Sequence, residues 1–451
     1  MPTLWSATAL LPSGWANDVR ITFANGLITA IDMRTPARPG DECHAIVLPG
    51  LANVHSHAFQ RGMAGLAEHR GPSHDDNFWS WREVMYRFLD RLTPDDVEAI
   101  TAMSYVEMLE SGYTHVGEFH YLHNDISGHR YQDPAEMSAR VCGAAHATGI
   151  GLTFLPVFYA HSNFDGQAPN HGQRRFISDL DSFATLLDAC KPLLADSDVL
   201  GIAPHSLRAV TPDELDALVA LRPNGPIHMH AAEQDKEVRD SVAFSGERPV
   251  QWLLNHQDVD ERWCLIHATH LSEPETDALA ASGAVAGLCP VTEANLGDGI
   301  FPAARFLAAG GRIATGTDSN ILIDPAQELR ALEYSQRLAH QARNVLASAT
   351  HTSVARRLFG ATLSGGAQAM GISQGLTIGN SADFVSLKAN HPGLHGQRGD
   401  LLLDHWIFAA RNTCIDSVWR RGRKLVSDGR HQDSDAVMSR YLKAVDRILA
   451  E

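Results

Sequence analysis

The sequence has few cysteines for its length, and no two of them are close together. Its 451 residues include six, which are Cys43, Cys142, Cys190, Cys264, Cys289 and Cys414. No CxxC pair and no dense cysteine spacing occurs, so the sequence predicts neither a disulfide framework nor a thiolate zinc cluster. We expect reduced thiols, most of them in the core.

Long apolar runs and a basic N-terminal segment are also missing. No stretch approaches 18 uninterrupted apolar residues, and the first positively charged side chain is Arg20. These absences predict neither a membrane span nor a secretory signal, so a cytoplasmic protein is expected. The formal net charge of −16 argues against nucleic acid or an anionic membrane as partner. An acidic substrate would then have to be held by a few local arginines.

The middle of the sequence alternates short apolar runs with helical segments from about residue 49 to 320. The runs typical of strands end near His57, Glu118, His161, His205, His230, His267, Cys289 and Asp318. Capping-box patterns begin helices at residues 211–214 and 272–275. Eight strand-then-helix units without a GxGxxG motif or a P-loop predict a (β/α)8 TIM barrel rather than an open doubly wound sheet.

The two ends of the sequence predict a second, smaller unit. Residues 1–48 and 370–451 contain short strand-like runs, and we interpret them as one small β-sandwich domain with a C-terminal helix. The barrel domain would then span residues 49–369. Two long loops, at residues 60–92 and 162–178, follow the first and third strands, on the face where barrel enzymes bind substrate.

An HxH pair ends the first predicted strand. His55 and His57 stand two positions apart in an extended run, so both imidazoles point to one face and can reach one metal ion. The spacing alone is weak evidence, because the chain contains 24 histidines and two polar residues in a strand-end loop explain it equally well. His230 on the fifth strand and Asp318 on the eighth complete a four-ligand set. Such a set suits catalytic Zn²⁺, although Fe²⁺ or Mn²⁺ would also fit.

Two more residues at the same face are candidates for proton transfer. Glu233 follows His230 by three positions, which brings a carboxylate close to the predicted metal, and His267 ends the sixth strand. Glu233 as a surface residue at a helix start, and His230 as a polar strand cap, are the alternative interpretations. The HxH pair, His230, His267 and Asp318 end the predicted strands one, five, six and eight in that order. This ordered series indicates a metal site far more specifically than any one of these residues does.

These motifs resemble those of the amidohydrolase superfamily, in the mononuclear branch that contains the cytosine, guanine and adenosine-type deaminases. The resemblance rests on Pro49-Gly50 before the HxH pair and on residues 230–233 and 316–319, and it covers nearly the whole chain. His205 stands where binuclear members have a bridging lysine, which counts against the dihydropyrimidinase type.

The resemblance implies a hydrolytic reaction at the metal. His267 and Asp318 would orient and deprotonate a metal-activated water, and Glu233 would carry the proton to the departing nitrogen.

The segment from His57 to Glu68 resembles more specifically the formimidoylglutamate deiminases of bacterial histidine degradation. Residues 118–123, 204–208 and 292–299 add to this resemblance. It implies one Zn²⁺ per subunit, a homodimer, and conversion of N-formimidoyl-L-glutamate to N-formyl-L-glutamate and ammonia.

A substrate with two carboxylates needs cations inside the pocket of so acidic a protein. Arg82 and Arg208 are the candidates, because bidentate arginine pairing suits carboxylates. Gln60, Tyr121 and His205 are expected to contact the glutamate portion. Arg61 ranks lower because its side chain should alternate away from that of Gln60. The alternatives are that Arg82 is a surface loop residue and that Tyr121 only packs.

Two other functions stay open at this point. A deaminase with the same metal site could act on a nucleobase, a triazine or another cyclic amidine, for which aromatic stacking surfaces without an arginine pair are expected. A non-catalytic homologue could retain the barrel alone. Loss of ligands would be its signature, and here every ligand type is present.

Overall fold

The chain alternates strands and helices through its middle and has further strands on both sides. The computed structural model describes residues 2–70, 76–410 and 412–450. The strands are β1 (Thr3–Leu11), β2 (Gly14–Ala24), β3 (Leu27–Asp32), β4 (Glu42–Pro49), β5 (Leu51–Ser56), β6 (Tyr113–His120), β7 (Gly151–Phe158), β8 (Val199–Leu200), β9 (Ala203–Pro204), β10 (Ile227–Ala231), β11 (Trp263–His267), β12 (Val285–Leu288), β13 (Arg312–Thr315), β14 (Phe384–Leu387), β15 (Ile415–Arg420), β16 (Arg423–Ser427) and β17 (Arg430–His431).

The helices lie mainly between the barrel strands. They are α1 (Phe78–Leu89), α2 (Pro94–Ser111), α3 (Glu136–Thr148), α4 (Leu180–Cys190), α5 (Pro212–Leu221), α6 (Asp235–Ser245), α7 (Pro249–His256), α8 (Glu273–Ser282), α9 (Pro290–Leu296), α10 (Ala303–Ala308), α11 (Pro325–His340), α12 (Val354–Met370), α13 (Asp400–Phe408) and α14 (Ser434–Ala450). Within the described ranges, none of them combines the length and apolar character that a membrane-crossing helix needs.

The strands β5 to β13 form a parallel barrel. β5 to β8 pair in order, β9 also pairs with β7, and β10 to β13 pair in order. Parallel bridges between Ile202 and Ile227 and between Ser56 and Asp318 join the two groups into a closed ring. With β8 and β9 counted as one interrupted strand, the barrel has eight strands, and the predicted (β/α)8 fold is confirmed.

Both ends of the chain contribute strands to one further sheet. Its order is β17-β16-β15-β14-β4-β1-β2-β3, so β4 lies between a strand from each end. Phe23, Phe384 and Trp419 belong to a core of this sheet that is separate from the barrel core. Because β4 ends at Pro49 and β5 begins at Leu51, the sheet leads directly into the first barrel strand.

The C-terminal helix α14, which we grouped with the terminal strands, lies along the barrel helix α2. Arg447 donates to the carboxylate of Asp96 at the start of α2 and to the carbonyl of Arg91, at 2.7 Å for the latter. Arg91 in turn donates to the carbonyl of Ile448 at 2.8 Å. These reciprocal contacts attach the end of the chain to the barrel.

The segment predicted as a long loop at residues 60–92 contains two helices within its described residues. A short 3₁₀ helix covers Ala58–Met63, and α1 follows. Asn77 begins α1 with a capping box, accepting from Trp79 N at 2.9 Å while Ser80 Oγ accepts from Asn77 N at 2.9 Å. Residues 71–75 of this segment lie outside the described residues. The helix holds its side chains over the carboxyl ends of the strands.

Glycines bring α12 against the two strands that close the barrel. A Cβ on Gly365 would lie 2.1 Å from the carbonyl oxygen of Ile313 in β13, and one on Gly366 would lie 3.4 Å from the Cβ of Ala52 in β5. Gly365 is therefore required by the close approach of helix and strand backbones.

We predict that Gly365→Ala lowers stability by about 1–3 kcal/mol, because the new methyl group forces α12 away from the barrel wall. Gly143→Ala in α3 is the matched control, since nothing lies within 4 Å of its added Cβ. Alanine in a helix interior should leave stability unchanged or raise it by up to about 1 kcal/mol. Thermal unfolding followed by circular dichroism measures both, and an equal midpoint for the two variants would contradict the packing described.

Candidate active site

Four ligand-type side chains meet where β5, β10 and β13 end. His55, His57, His230 and Asp318 are buried, and one donor atom of each lies within 4.8 Å of the others. Asp318 Oδ1 is 3.4 Å from His55 Nε2 and 3.2 Å from His57 Nε2. His230 Nε2 is 3.1 Å from His55 Nε2. The four atoms thus surround one point, as a single metal ion requires.

Backbone carbonyls orient two of the imidazoles. His57 Nδ1 is 2.8 Å from the carbonyl oxygen of Phe119, and His230 Nδ1 is 3.1 Å from that of His205. A carbonyl can only accept, so each Nδ1 carries the proton and each Nε2 presents its lone pair to the cluster. Burial lowers the pKa of all three cluster histidines, that of His55 to about 3. Three neutral imidazoles and a carboxylate fit a divalent transition metal.

The backbone around Asp318 is locked to the HxH strand. The N–H groups of Thr317 and Asp318 donate to His55 O at 3.1 and 2.9 Å, and His57 N–H donates to Asp318 O at 2.9 Å. A Cβ at Gly316 would lie 2.7 Å from His55 N, so this approach requires glycine. Although burial raises the pKa of Asp318, its hydrogen bond with His55 and the positive charge of His267 outweigh burial and lower it. The carboxyl is therefore ionised.

A buried amide network supports this arrangement. Asn53 accepts from Thr317 N at 3.0 Å and donates to Thr317 Oγ1 at 2.6 Å. Thr317 Oγ1 donates to Asn320 Oδ1 at 2.6 Å, and Asn320 Nδ2 donates to Ser56 Oγ at 3.1 Å. Our sequence analysis missed this network. The available signal was an asparagine in the apolar run two residues before the HxH pair.

The two predicted proton-transfer residues lie beside the cluster. His267 Nε2 is 3.8 Å from Glu233 Oε1 and 3.7 Å from Asp318 Oδ2. On the other side of the ring, His267 Nδ1 is 3.2 Å from Glu293 Oε1, which also accepts from Cys289 N at 2.8 Å. Glu293 is a further residue that our sequence analysis did not assign to the site. It fixes the ring so that Nε2 faces the cavity.

Opposing effects set the proton affinity of this pair. Burial raises the pKa of Glu233 to about 7, against the lowering effect of His267 and Arg208. Burial lowers the pKa of His267, but the carboxylates of Glu233, Glu293 and Asp318 outweigh it and raise the pKa above its ordinary value. Glu233 can therefore exchange a proton near neutral pH, whereas the carboxylates around His267 favour its protonated form.

A second cluster shares Asp318 with the first. His267, Cys289 and Asp318 also offer donor atoms within 4.8 Å of one another. Burial raises the pKa of the Cys289 thiol well above its ordinary value. Because metals bind the thiolate, a neutral thiol makes this trio the poorer ligand set.

The residues predicted to bind substrate line one cavity that opens onto the metal-type cluster. Those residues are Gln60, Arg82, Tyr121, His205 and Arg208, and they share the cavity with His57, His230, Glu233, His267 and Asp318. Within it, Gln60 Nε2 donates to the Tyr121 hydroxyl at 2.6 Å. The walls also include aromatic side chains that our sequence analysis did not single out: Phe78, Trp81, Tyr86, Tyr159 and Phe176.

The guanidinium groups of the two arginines both lie near one indole ring. The guanidinium carbon of Arg82 is 5.1 Å from the ring centroid of Trp79, and that of Arg208 is 5.8 Å away. Arg82 also donates to the Tyr86 hydroxyl, and Arg208 is only 4 % exposed. Arg61, which we ranked lower, forms an ion pair with Glu107 at 2.6 Å. The cavity therefore joins a metal-type cluster to two guanidinium groups.

Comparisons with known proteins agree with this architecture. Residues 46–425 match the model of the amidohydrolase family, and residues 1–45 match that of the N-terminal domain of formimidoylglutamate deiminase HutF. The chain is 47 % identical to formimidoylglutamate deiminase from Pseudomonas aeruginosa, with complete coverage of both chains.

Solved structures show the same fold. The crystal structure of an amidohydrolase from Brucella melitensis is 54 % identical over the whole of both chains, with a TM-score of 0.96. An adenosine deaminase from Xanthomonas campestris, solved with bound zinc, has 21 % identity and a TM-score of 0.82 over 100 % of this chain and 98 % of its own. The chain therefore belongs to the amidohydrolase family, in the branch that contains the formimidoylglutamate deiminases.

Proposed function

We propose that this protein is a metal-dependent hydrolase that converts N-formimidoyl-L-glutamate and water to N-formyl-L-glutamate and ammonia. The observation that carries the proposal is the shared cavity, which has the His55–His57–His230–Asp318 cluster at one end and Arg82 and Arg208 beside it. The full-length relative at 47 % identity carries the name of this activity. A cytoplasmic homodimer is the state that the family resemblance implies.

The substrate's two carboxylates would be held by the arginines. Arg208 is buried in the cavity wall and Arg82 is half-buried, so both can offer paired N–H donors away from bulk water. Bidentate pairing with an arginine fixes the orientation of a substrate carboxylate and also balances its charge. Gln60, Tyr121 and His205 would contact the glutamate backbone and leave the formimino carbon near Glu233.

The metal proposed for the cluster is one Zn²⁺ per chain, with Fe²⁺ or Mn²⁺ as chemically acceptable substitutes. When bound, such an ion acts as a Lewis acid and lowers the pKa of a coordinated water. The lone pairs of the histidines and the ionised Asp318 suit this role, because they add only one negative charge to a doubly positive ion.

Proton transfer would belong to Glu233 and His267. His267 is fixed by Glu293 and faces both Glu233 and Asp318. His267 Nε2 could accept a proton from the attacking water when a divalent cation in the cluster offsets the carboxylates that favour the protonated ring. Glu233, with its pKa raised by burial to about 7, can hold a proton and deliver it to the departing nitrogen. The bond that breaks is the one whose nitrogen receives this proton.

A nucleobase or other cyclic amidine is the second candidate substrate, and the aromatic walls of the cavity favour it. Tyr159 and Phe176 are buried there beside Tyr121. Such a substrate has no carboxylates to pair with Arg82 and Arg208, and two unpaired guanidinium groups would then face it. We therefore rank it below the dicarboxylate.

The purified, metal-loaded protein should release ammonia from synthetic N-formimidoyl-L-glutamate in equal amount to N-formyl-L-glutamate. Guanine and cytosine should give no ammonia above background. A coupled ammonia assay with chromatographic identification of the second product tests both statements. Formation of formamide and L-glutamate would show that the proton goes to the other nitrogen and would contradict the proposed product.

Arg208→Met should lower kcat/KM for N-formimidoyl-L-glutamate by at least about 100-fold, since the variant loses a buried cation that faces the substrate carboxylate. Arg305→Met is the control, because Arg305 is partly exposed and pairs with Asp277 outside the cavity. Steady-state kinetics of both variants decides the point. Wild-type values for Arg208→Met would rule out a carboxylate-binding role.

His230→Ala should abolish stoichiometric metal binding, whereas Cys289→Ser should retain one ion per chain. The reason is that His230 belongs to the imidazole cluster, while Cys289 belongs only to the trio with the neutral thiol. Elemental analysis by inductively coupled plasma mass spectrometry, after dialysis, gives the stoichiometry. Loss of metal from Cys289→Ser, with His230→Ala still loaded, would assign the ion to the other group.

A further inference from the structure

Glu237 is a buried carboxylate that the proposed chemistry does not use. It lies in the first turn of α6, four residues after Glu233, and is 1 % exposed. A buried carboxylate without compensation is costly, so its two oxygens need partners. One partner is the backbone next to Glu233, and the other is Arg208 in the cavity wall.

One oxygen holds the backbone that carries Glu233. Glu237 Oε1 accepts from the N–H of Ala232 at 3.0 Å. Ala232 has a φ of +50°, a conformation that costs a residue with a side chain about 1 kcal/mol or more. The carbonyl of Ala232 accepts from His270 N at 3.0 Å. The backbone N–H and C=O of Ala232 are therefore both hydrogen-bonded. These bonds fix the backbone next to Glu233 and so orient the Glu233 side chain.

The other oxygen faces the substrate-binding arginine. Glu237 Oε2 lies 3.8 Å from Arg208 Nε, and neither atom has a hydrogen-bond partner among the described residues. The guanidinium carbon of Arg208 lies over the Trp79 ring, 5.8 Å from its centroid. An ion pair at Nε leaves the two terminal nitrogens of the guanidinium for another carboxylate, which is the bidentate edge that a substrate would use.

We propose that Glu237 is a positioning residue that orients Arg208 toward a substrate carboxylate and, through Ala232, holds the Glu233 loop in register with it. This inference rests on the proposed function for the identity of the ligand. One side chain would then link carboxylate binding to the placement of the proton-transfer group.

The test is a double-mutant cycle between Glu237→Gln and Arg208→Lys in the metal-loaded protein. Glutamine keeps an oxygen for Ala232 N–H but removes the charge beside Arg208. Lysine keeps a cation in the cavity but lacks the planar fork that Glu237 orients. Affinity for N-formyl-L-glutamate is measured by titration calorimetry, and kcat and KM for N-formimidoyl-L-glutamate are measured in parallel.

Glu237→Gln should weaken affinity and raise KM by about tenfold in the wild-type background, with kcat within about threefold of wild type. In the Arg208→Lys background the same substitution should change affinity by less than about threefold. Equal factors in the two backgrounds would overturn the proposal, because a purely structural role of Glu237 predicts independent effects.

Glu275→Gln is the matched control. Glu275 is also a buried glutamate in the first turn of a barrel helix, and it pairs with Arg248 at 2.5 Å away from the cavity residues. The Glu275→Gln substitution should lower the thermal midpoint of unfolding without changing KM.

The outcomes for the pairing and for the proposed reaction can be told apart. If the effects of Glu237→Gln and Arg208→Lys on affinity are coupled but the protein releases no ammonia, the result supports the pairing of the two residues and contradicts the proposed reaction. If the losses of affinity are additive in a protein that does release ammonia, the result contradicts only the pairing of Glu237 with Arg208.

Discussion

The contact between the first and last barrel strands is the constraint on which the rest of the structure depends. His55 O accepts from two N–H groups of residues 317–318, and His57 N–H donates to Asp318 O. These bonds close the ring of strands, and they also set the separation of three of the four metal-type ligands. The same bonds therefore help to close the barrel and place these three ligands, and α12 packs against β13 from outside at Gly365.

Most of the fold and the cluster could be predicted from sequence because they depend on regular patterns. The alternation of apolar runs with capped helices located eight strands, and the polar residues at their ends met because carboxyl ends of parallel strands share one face. His55 and His57 needed only period-two geometry to point together. His230, His267 and Asp318 followed from their order along the strands and from the family resemblance.

The supporting residues could not be predicted in this way. Glu293 and Glu237 act on groups that are brought to them by neighbouring strands and loops, and nothing in their local spacing distinguishes them from ordinary polar side chains. Asn53 stands out only as an amide within an apolar run, which does not indicate its partners on the last barrel strand. Likewise, the segment from residue 60 to 92 was identified as a long loop, but its helix α1 and the position of Trp79 near both arginines depend on how that segment folds over the barrel.

The carbonyl groups that orient His57 and His230 have a consequence for how such proteins diverge. Main-chain atoms hold both rings, and every sequence that folds this way supplies those atoms whatever its side chains are. The orientation of these two ligands therefore depends on the fold, whereas substrate binding depends on side chains such as Arg82 in α1. After gene duplication, one copy of the protein could acquire a different substrate specificity by substitutions among the side chains that line the cavity, while its metal-type cluster is retained.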